Sequence, residues 1–154
     1  MKFALAAIFS DDMVVQRDMP VPVWGSAAAG ETVEVLMDGI HVQTQVTEDG
    51  QWKAVLPAKP AGGPWDLTAR CQNEKIVLHH IYRGEVFLAG GQSNMEFALQ
   101  DSQNGTETVK NSSLERLHLY MTPKAVTEEE AELLKRESRG KISGPEPYST
   151  FSAV

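Results

Sequence analysis

The chain has 154 residues, 42% of them apolar, a formal net charge of −7 and one cysteine. That apolar content is ample for a hydrophobic core and argues against a disordered chain, while scattered Lys and Arg in an acidic protein argue against a nucleic-acid partner or an anionic membrane surface. Cys71, being alone, forms no internal disulfide and reads as a small buried strand residue.

Met1-Lys2 followed by Phe3 to Phe9 imitates the start of a signal peptide. The apolar stretch is short, however, and Ser10-Asp11-Asp12 follows it without a small-x-small cleavage site. Residues 3 to 9 therefore predict a first strand. With no convincing signal peptide, localisation stays open and the cytoplasm is favoured; no stretch approaches the length of a membrane-spanning helix.

Up to residue 83 the pattern has period two. Val42, Thr44 and Val46 alternate with Gln43, Gln45 and Thr47; Trp52, Ala54 and Leu56 with Gln51 and Lys53; Trp65, Leu67, Ala69 and Cys71 with Asp66, Thr68, Arg70 and Gln72. Asp38-Gly39, Asp49-Gly50 and Gly62-Gly63-Pro64 punctuate these runs, and Asp38-Gly39 is a two-residue hairpin signal between Thr32–Met37 and Ile40–Thr47. The pattern predicts a mainly β chain whose residues 1–83 form an antiparallel β-sandwich domain. An exposed indole can stack on a sugar, but Trp52 and Trp65 fall on apolar faces and read as core; Trp24, before Gly25, is open to either reading.

From Gly84 the grammar changes toward the start of an α/β layer. Val86-Phe87-Leu88-Ala89 predicts a short buried strand, Gly90-Gly91 a tight turn, Asn94–Gln100 a helix, 101–113 a loop and 114–120 a further strand. Thr127-Glu128-Glu129-Glu130 has capping-box spacing and predicts a helix to about Arg136, with a loop over 140–150. Ser93 falls where the first helix begins. A serine at a strand-to-helix elbow stands clear of the sheet, and unpaired N–H groups of the first helical turn face any oxygen that becomes negative beside it. Those are parts of an acyl-transfer site, although a plain loop with Ser93 as N-cap explains the same residues.

The longer string separates the two readings. Gly91-Gln92-Ser93-Asn94-Met95-Glu96 resembles the nucleophile block of the sialate O-acetylesterase family, whose catalytic part is an SGNH-type hydrolase domain. Phe9 to Arg17, Pro22-Val23-Trp24-Gly25, Gly62-Gly63-Pro64-Trp65 and Gly84-Glu85-Val86 resemble that family's amino-terminal signature in order and spacing. Leu114 to Tyr120 and Phe151-Ser152-Ala153-Val154 resemble later segments. The resemblance implies an accessory β-sandwich over 1–83 and the amino-terminal, incomplete part of a three-layer α/β esterase domain over 84–154. It implies Ser93 as nucleophile, with Gly91, Gln92 and Asn94 in the block around it, and an O-acetylated sugar, sialic acid or another glycan, as substrate. No cofactor is needed.

The same resemblance places a general base and its orienter, an Asp-x-x-His pair, far beyond the serine, where this sequence has none. Asp38-Gly39-Ile40-His41 has the spacing but precedes the serine and is explained by the turn. His79, His80 and His118 sit in strand-like runs with nothing to pair them with Ser93. One cysteine and four dispersed histidines give no metal-ligand spacing. Asp11-Asp12 and Glu128-Glu129-Glu130 read as solvated charge. The expectation is an esterase portion inactive without its Asp and His, self-associating through open sheet edges; the alternative is a non-catalytic β-sandwich module that binds carbohydrate or a partner chain.

Overall fold

A computed structural model describes residues 1–121 and 141–142. They divide into two compact units between Val86 and Phe87. The first carries eight strands: β1 (Ala4–Leu5), β2 (Val14–Gln16), β3 (Val21–Ser26), β4 (Thr32–Met37), β5 (Ile40–Gln45), β6 (Gln51–Leu56), β7 (Gly62–Cys71) and β8 (Glu74–Gly84).

Alternation decides which side chains these strands bury. β6 turns Trp52, Ala54 and Leu56 inward and Gln51, Lys53 and Val55 outward, and β4 buries Val33, Val35 and Met37. β7 buries Leu67, Ala69 and Cys71, with Trp65 half-buried on the same side. Together with Val21, Val23 and Ile81 they make one core shared by a three-stranded sheet, β1-β3-β6, and a five-stranded sheet, β2-β8-β7-β4-β5. Each fully buried Val, Leu or Ile contributes roughly 1.5–3 kcal/mol of transfer free energy, so the core and not the turns stabilises this unit.

The hairpin forms as its dipeptide requires. Asp38 and Gly39 both take positive φ, 52° and 68°, and Met37 pairs with Ile40 across the turn. The strand expected over residues 3–9 is confined to β1. The Ala6 N–H donates to Trp24 O and the Phe9 N–H to Ala6 O, which turns the chain away. All the sheet neighbours are antiparallel except β2 and β8, which run parallel with Val15 opposite Arg83. Because β1 and β2 lie in different sheets, the chain between them crosses over and is free of a hairpin's reversal of direction.

Two buried polar groups in this unit have measurable consequences. Arg83 is 2% exposed, and none of its three guanidinium nitrogens has a hydrogen-bond partner among the described residues. A buried charge without a partner is costly, so Arg83→Met should raise the stability of the chain, by about 1–3 kcal/mol in urea unfolding. A lower midpoint would show that the guanidinium is paired.

Cys71, as expected, is buried, and its thiol donates to Glu31 Oε2 at 2.8 Å. Burial, helped by that carboxylate, pushes the thiol up from 9.0 to about 11. The fold therefore favours the protonated thiol. Its contribution to stability is complete below pH 9 and is lost as pH rises towards about 11. Cys71→Val should remove that part of the alkaline slope, on the order of 1–2 kcal/mol, in paired unfolding curves at pH 8 and pH 11. Parallel slopes for the two proteins would contradict it.

From Val86 onward the chain departs further from the sequence expectations. Val86 to Ala89 forms no strand; Val86, Phe87 and Leu88 are 51%, 87% and 98% exposed. A strand apolar on both faces is held by sheet neighbours and covering layers, and among the described residues nothing pairs with this segment. The helix expected over Asn94–Gln100 is two 3-10 turns, Ser93–Glu96 and Leu99–Asp101, separated by Ala98 in an extended conformation. The loop expected over 101–113 contains a helix, α1 (Gly105–Lys110), which starts after a left-handed Asn104 and buries Val109. Its Ser, Thr, Asn and Gly content signals loop, and the one apolar anchor overrides it. Of the strand expected over 114–120 only β9 (His118–Leu119) forms, antiparallel to β10 (Lys141–Ile142). β10 lies within the expected 140–150 loop; the rest of that loop and the helix expected from Thr127 lie outside the described residues. No helix among the described residues is long and apolar enough to cross a membrane.

Candidate active site

The block expected to carry the nucleophile starts in irregular, exposed chain and ends in a helical turn. Gly90, Gly91 and Gln92 carry no regular structure, and Ser93 is the first residue of the 3-10 turn Ser93–Glu96, with Asn94 second. The Gln92 carbonyl accepts from the Met95 N–H at 2.9 Å and closes the turn. First-turn N–H groups have no partner within a helix, so the Ser93 and Asn94 amides are donors in search of an acceptor. Of the expected elbow the helix start is therefore present and the strand is absent.

Gly91 serves this turn by its size. It does not adopt positive φ, but a Cβ there would come within 3.2 Å of Met95 Cβ. Ser93 is exposed, and its hydroxyl makes no hydrogen bond among the described residues. Without a base alongside, a serine hydroxyl is a weak nucleophile.

The histidines are engaged elsewhere. His79 Nδ1 lies 3.0 Å from Asp66 Oδ1, His80 Nδ1 3.1 Å from Asp12 Oδ1, and His41 Nε2 3.6 Å from Glu34 Oε2. Asp38, the other half of the Asp-x-x-His spacing, holds Lys59 Nζ at 2.9 Å on its carboxylate and 2.8 Å on its carbonyl. Both residues of that motif thus have structural partners. No group of three or more His, Cys, Asp or Glu able to hold a metal occurs among the described residues.

Sequence patterning missed Arg83 altogether, since one cation at the end of an apolar strand reads as an exposed edge residue; only the pairing of β8 between β2 and β7 reveals its burial. It placed two tryptophans well. Trp52 is 2% exposed and stacks near Phe3 with ring centroids 6.2 Å apart, and Trp65 packs against the core. Trp24, left open, is half-buried with Phe9 edge-on to it at 4.7 Å.

No family model matches the chain. It is 31% identical over 122 residues to the sialate O-acetylesterases of Homo sapiens and Pongo abelii, covering 72% of this chain and 23% of theirs. The Mus musculus sialate O-acetylesterase is 28% identical over 122 residues. The crystal structure of a carbohydrate acetylesterase from Xanthomonas citri superposes with a TM-score of 0.91 at 32% identity, covering 97% of this chain and 34% of that one. The fold and the sequence likeness together define a homologue of carbohydrate acetylesterases. The chain belongs to the sialate O-acetylesterase and carbohydrate acetylesterase family, and it matches a partial, amino-terminal-like portion of the longer proteins. It spans about a quarter of the length of the curated relatives it matches.

Proposed function

We propose that this chain supplies the nucleophile of an SGNH-type O-acetylesterase that removes acetyl groups from a sugar. Ser93 Oγ attacks the acetyl carbonyl, and the Ser93 N–H receives the developing oxyanion. The block Gly91, Gln92 and Asn94 presents the serine. Residues 1–83 act as the accessory β-sandwich and 84–154 as the first part of the esterase domain. The observation that carries this reading is Ser93 exposed at the opening of a helical turn within a chain homologous to carbohydrate acetylesterases.

Attack needs a base to accept the hydroxyl proton, and all four histidines of the sequence lie within the described residues without a hydrogen bond to Ser93. The base and its orienter therefore come from sequence corresponding to the remainder of the relatives. The test joins this chain to the rest of a homologous carbohydrate acetylesterase and follows acetate release from O-acetylated sialic acid and from acetylated xylan. Release from either substrate supports the reading and ranks the sugar; a folded fusion that releases acetate neither from these substrates nor from an activated acetyl ester would refute it.

The β-sandwich suggests a second reading, as a non-catalytic carbohydrate-binding module. It draws on Trp24, half-buried on β3 and paired across the sheet with Lys53 of β6.

A further inference from the structure

A groove of about 620 Å³ opens on the first unit, lined by Trp24 of β3, Gln51, Trp52 and Lys53 of β6, Gln45 at the end of β5 and Thr47 beyond it. Strand register places its two chief groups together. Trp24 pairs directly with Lys53, so indole and ammonium stand side by side on one face, and Gln51 stands on the same side of β6 two residues away. Phe9, edge-on at 4.7 Å, braces the indole.

The polar groups here are uncommitted. Gln16, Gln43 and Gln72 each donate to a carboxylate, at 3.2, 2.7 and 2.6 Å. The side chains of Gln45, Gln51 and Lys53 make no hydrogen bond or ion pair with any described residue. Thr47 is different: its hydroxyl is tied to Asp49 and to Gln51 O, which holds the turn at the groove's end in place. In a chain of net charge −7, no acidic residue lines the groove and one lysine does.

We propose that this groove binds a glycan chain. Trp24 offers the apolar face of its indole to a pyranose ring, the two glutamine amides exchange hydrogen bonds with sugar hydroxyls, and Lys53 faces a hydroxyl or a sugar carboxylate. An aromatic platform with a few convergent polar groups is the general form of a small-molecule site, and the volume falls within the usual range of about 300–1,000 Å³. The site is distinct from Ser93 and stands whether or not that serine is catalytic.

The test titrates the whole 154-residue chain with sialyllactose and separately with cellohexaose, by calorimetry and by the indole N–H resonances in ¹⁵N spectra. Saturable binding that shifts the Trp24 resonance is expected for at least one probe. Both binding assigns the pyranose face as the shared determinant; sialyllactose alone adds the Lys53 ammonium to it. Trp24→Ala should abolish binding. Because Trp24 also packs on Phe9, the exposed positions give a second readout: Gln51→Ala and Lys53→Ala should each weaken binding by about 3- to 10-fold with an unchanged melting curve. Absence of saturable binding by both probes, or binding unchanged in Gln51→Ala and Lys53→Ala, overturns the proposal.

Discussion

Ser93→Ala will lower acetyl-ester hydrolysis by about 10⁴-fold or more when the chain is joined to the rest of a homologous acetylesterase, and will change nothing measurable in the isolated chain. The asymmetry follows from how serine catalysis divides its work. The nucleophile and base act as a unit, so losing either removes nearly all the acceleration that they share, leaving only what positioning and the oxyanion donors provide. In the isolated chain that unit is already broken, since Ser93 has no hydrogen-bonded base among the described residues and His41, His79 and His80 sit against Glu34, Asp66 and Asp12. Initial rates on an activated acetyl ester, for wild type and Ser93→Ala in both settings, give the comparison. Strong Ser93-dependent turnover by the isolated chain would contradict it and turn attention to His41, His79, His80 and His118 as bases.

Gly25→Val will cost the chain about 3 kcal/mol or more of stability. A Cβ at Gly25 would lie 2.0 Å from Ala4 O and 2.9 Å from Ala4 C, both backbone atoms. No rotamer relieves that contact. The only release is to detach β1, which pairs through Leu5 with Gly25 and Ala4 with Ser26, and that uncovers the core near Phe3. Ala29→Val, at an exposed position nearby, is the control and should stay within about 0.5 kcal/mol of wild type. If urea unfolding finds Gly25→Val as stable as the control, the close approach of β1 to β3 is wrong.

The β half was legible because its determinants are local. A period of two marks the buried face of β6 and β7 residue by residue, and Asp38-Gly39 marks a turn because few residues take positive φ twice in succession. The block Gly91 to Glu96 was legible in the same sense: it is a contiguous string, and Ser93 does open a helical turn. What the string did not contain was the strand before it. Val86 to Ala89 has the composition of a buried strand, but a strand is a relation between segments, and its apolar side chains remain exposed where no strand among the described residues pairs with it.

The amino-acid sequence by itself thus determined the sandwich, its turns and the family to which the chain belongs, since alternation, turn chemistry and a short motif are properties of adjacent residues. Only the tertiary structure decided the parallel seat of β2 beside β8, the burial of Arg83 without a hydrogen-bond partner among the described residues, and the meeting of Trp24 with Lys53 in one groove. Each depends on which strands become neighbours, and that is settled by closing a common core between segments far apart in the chain, where no local pattern carries the information.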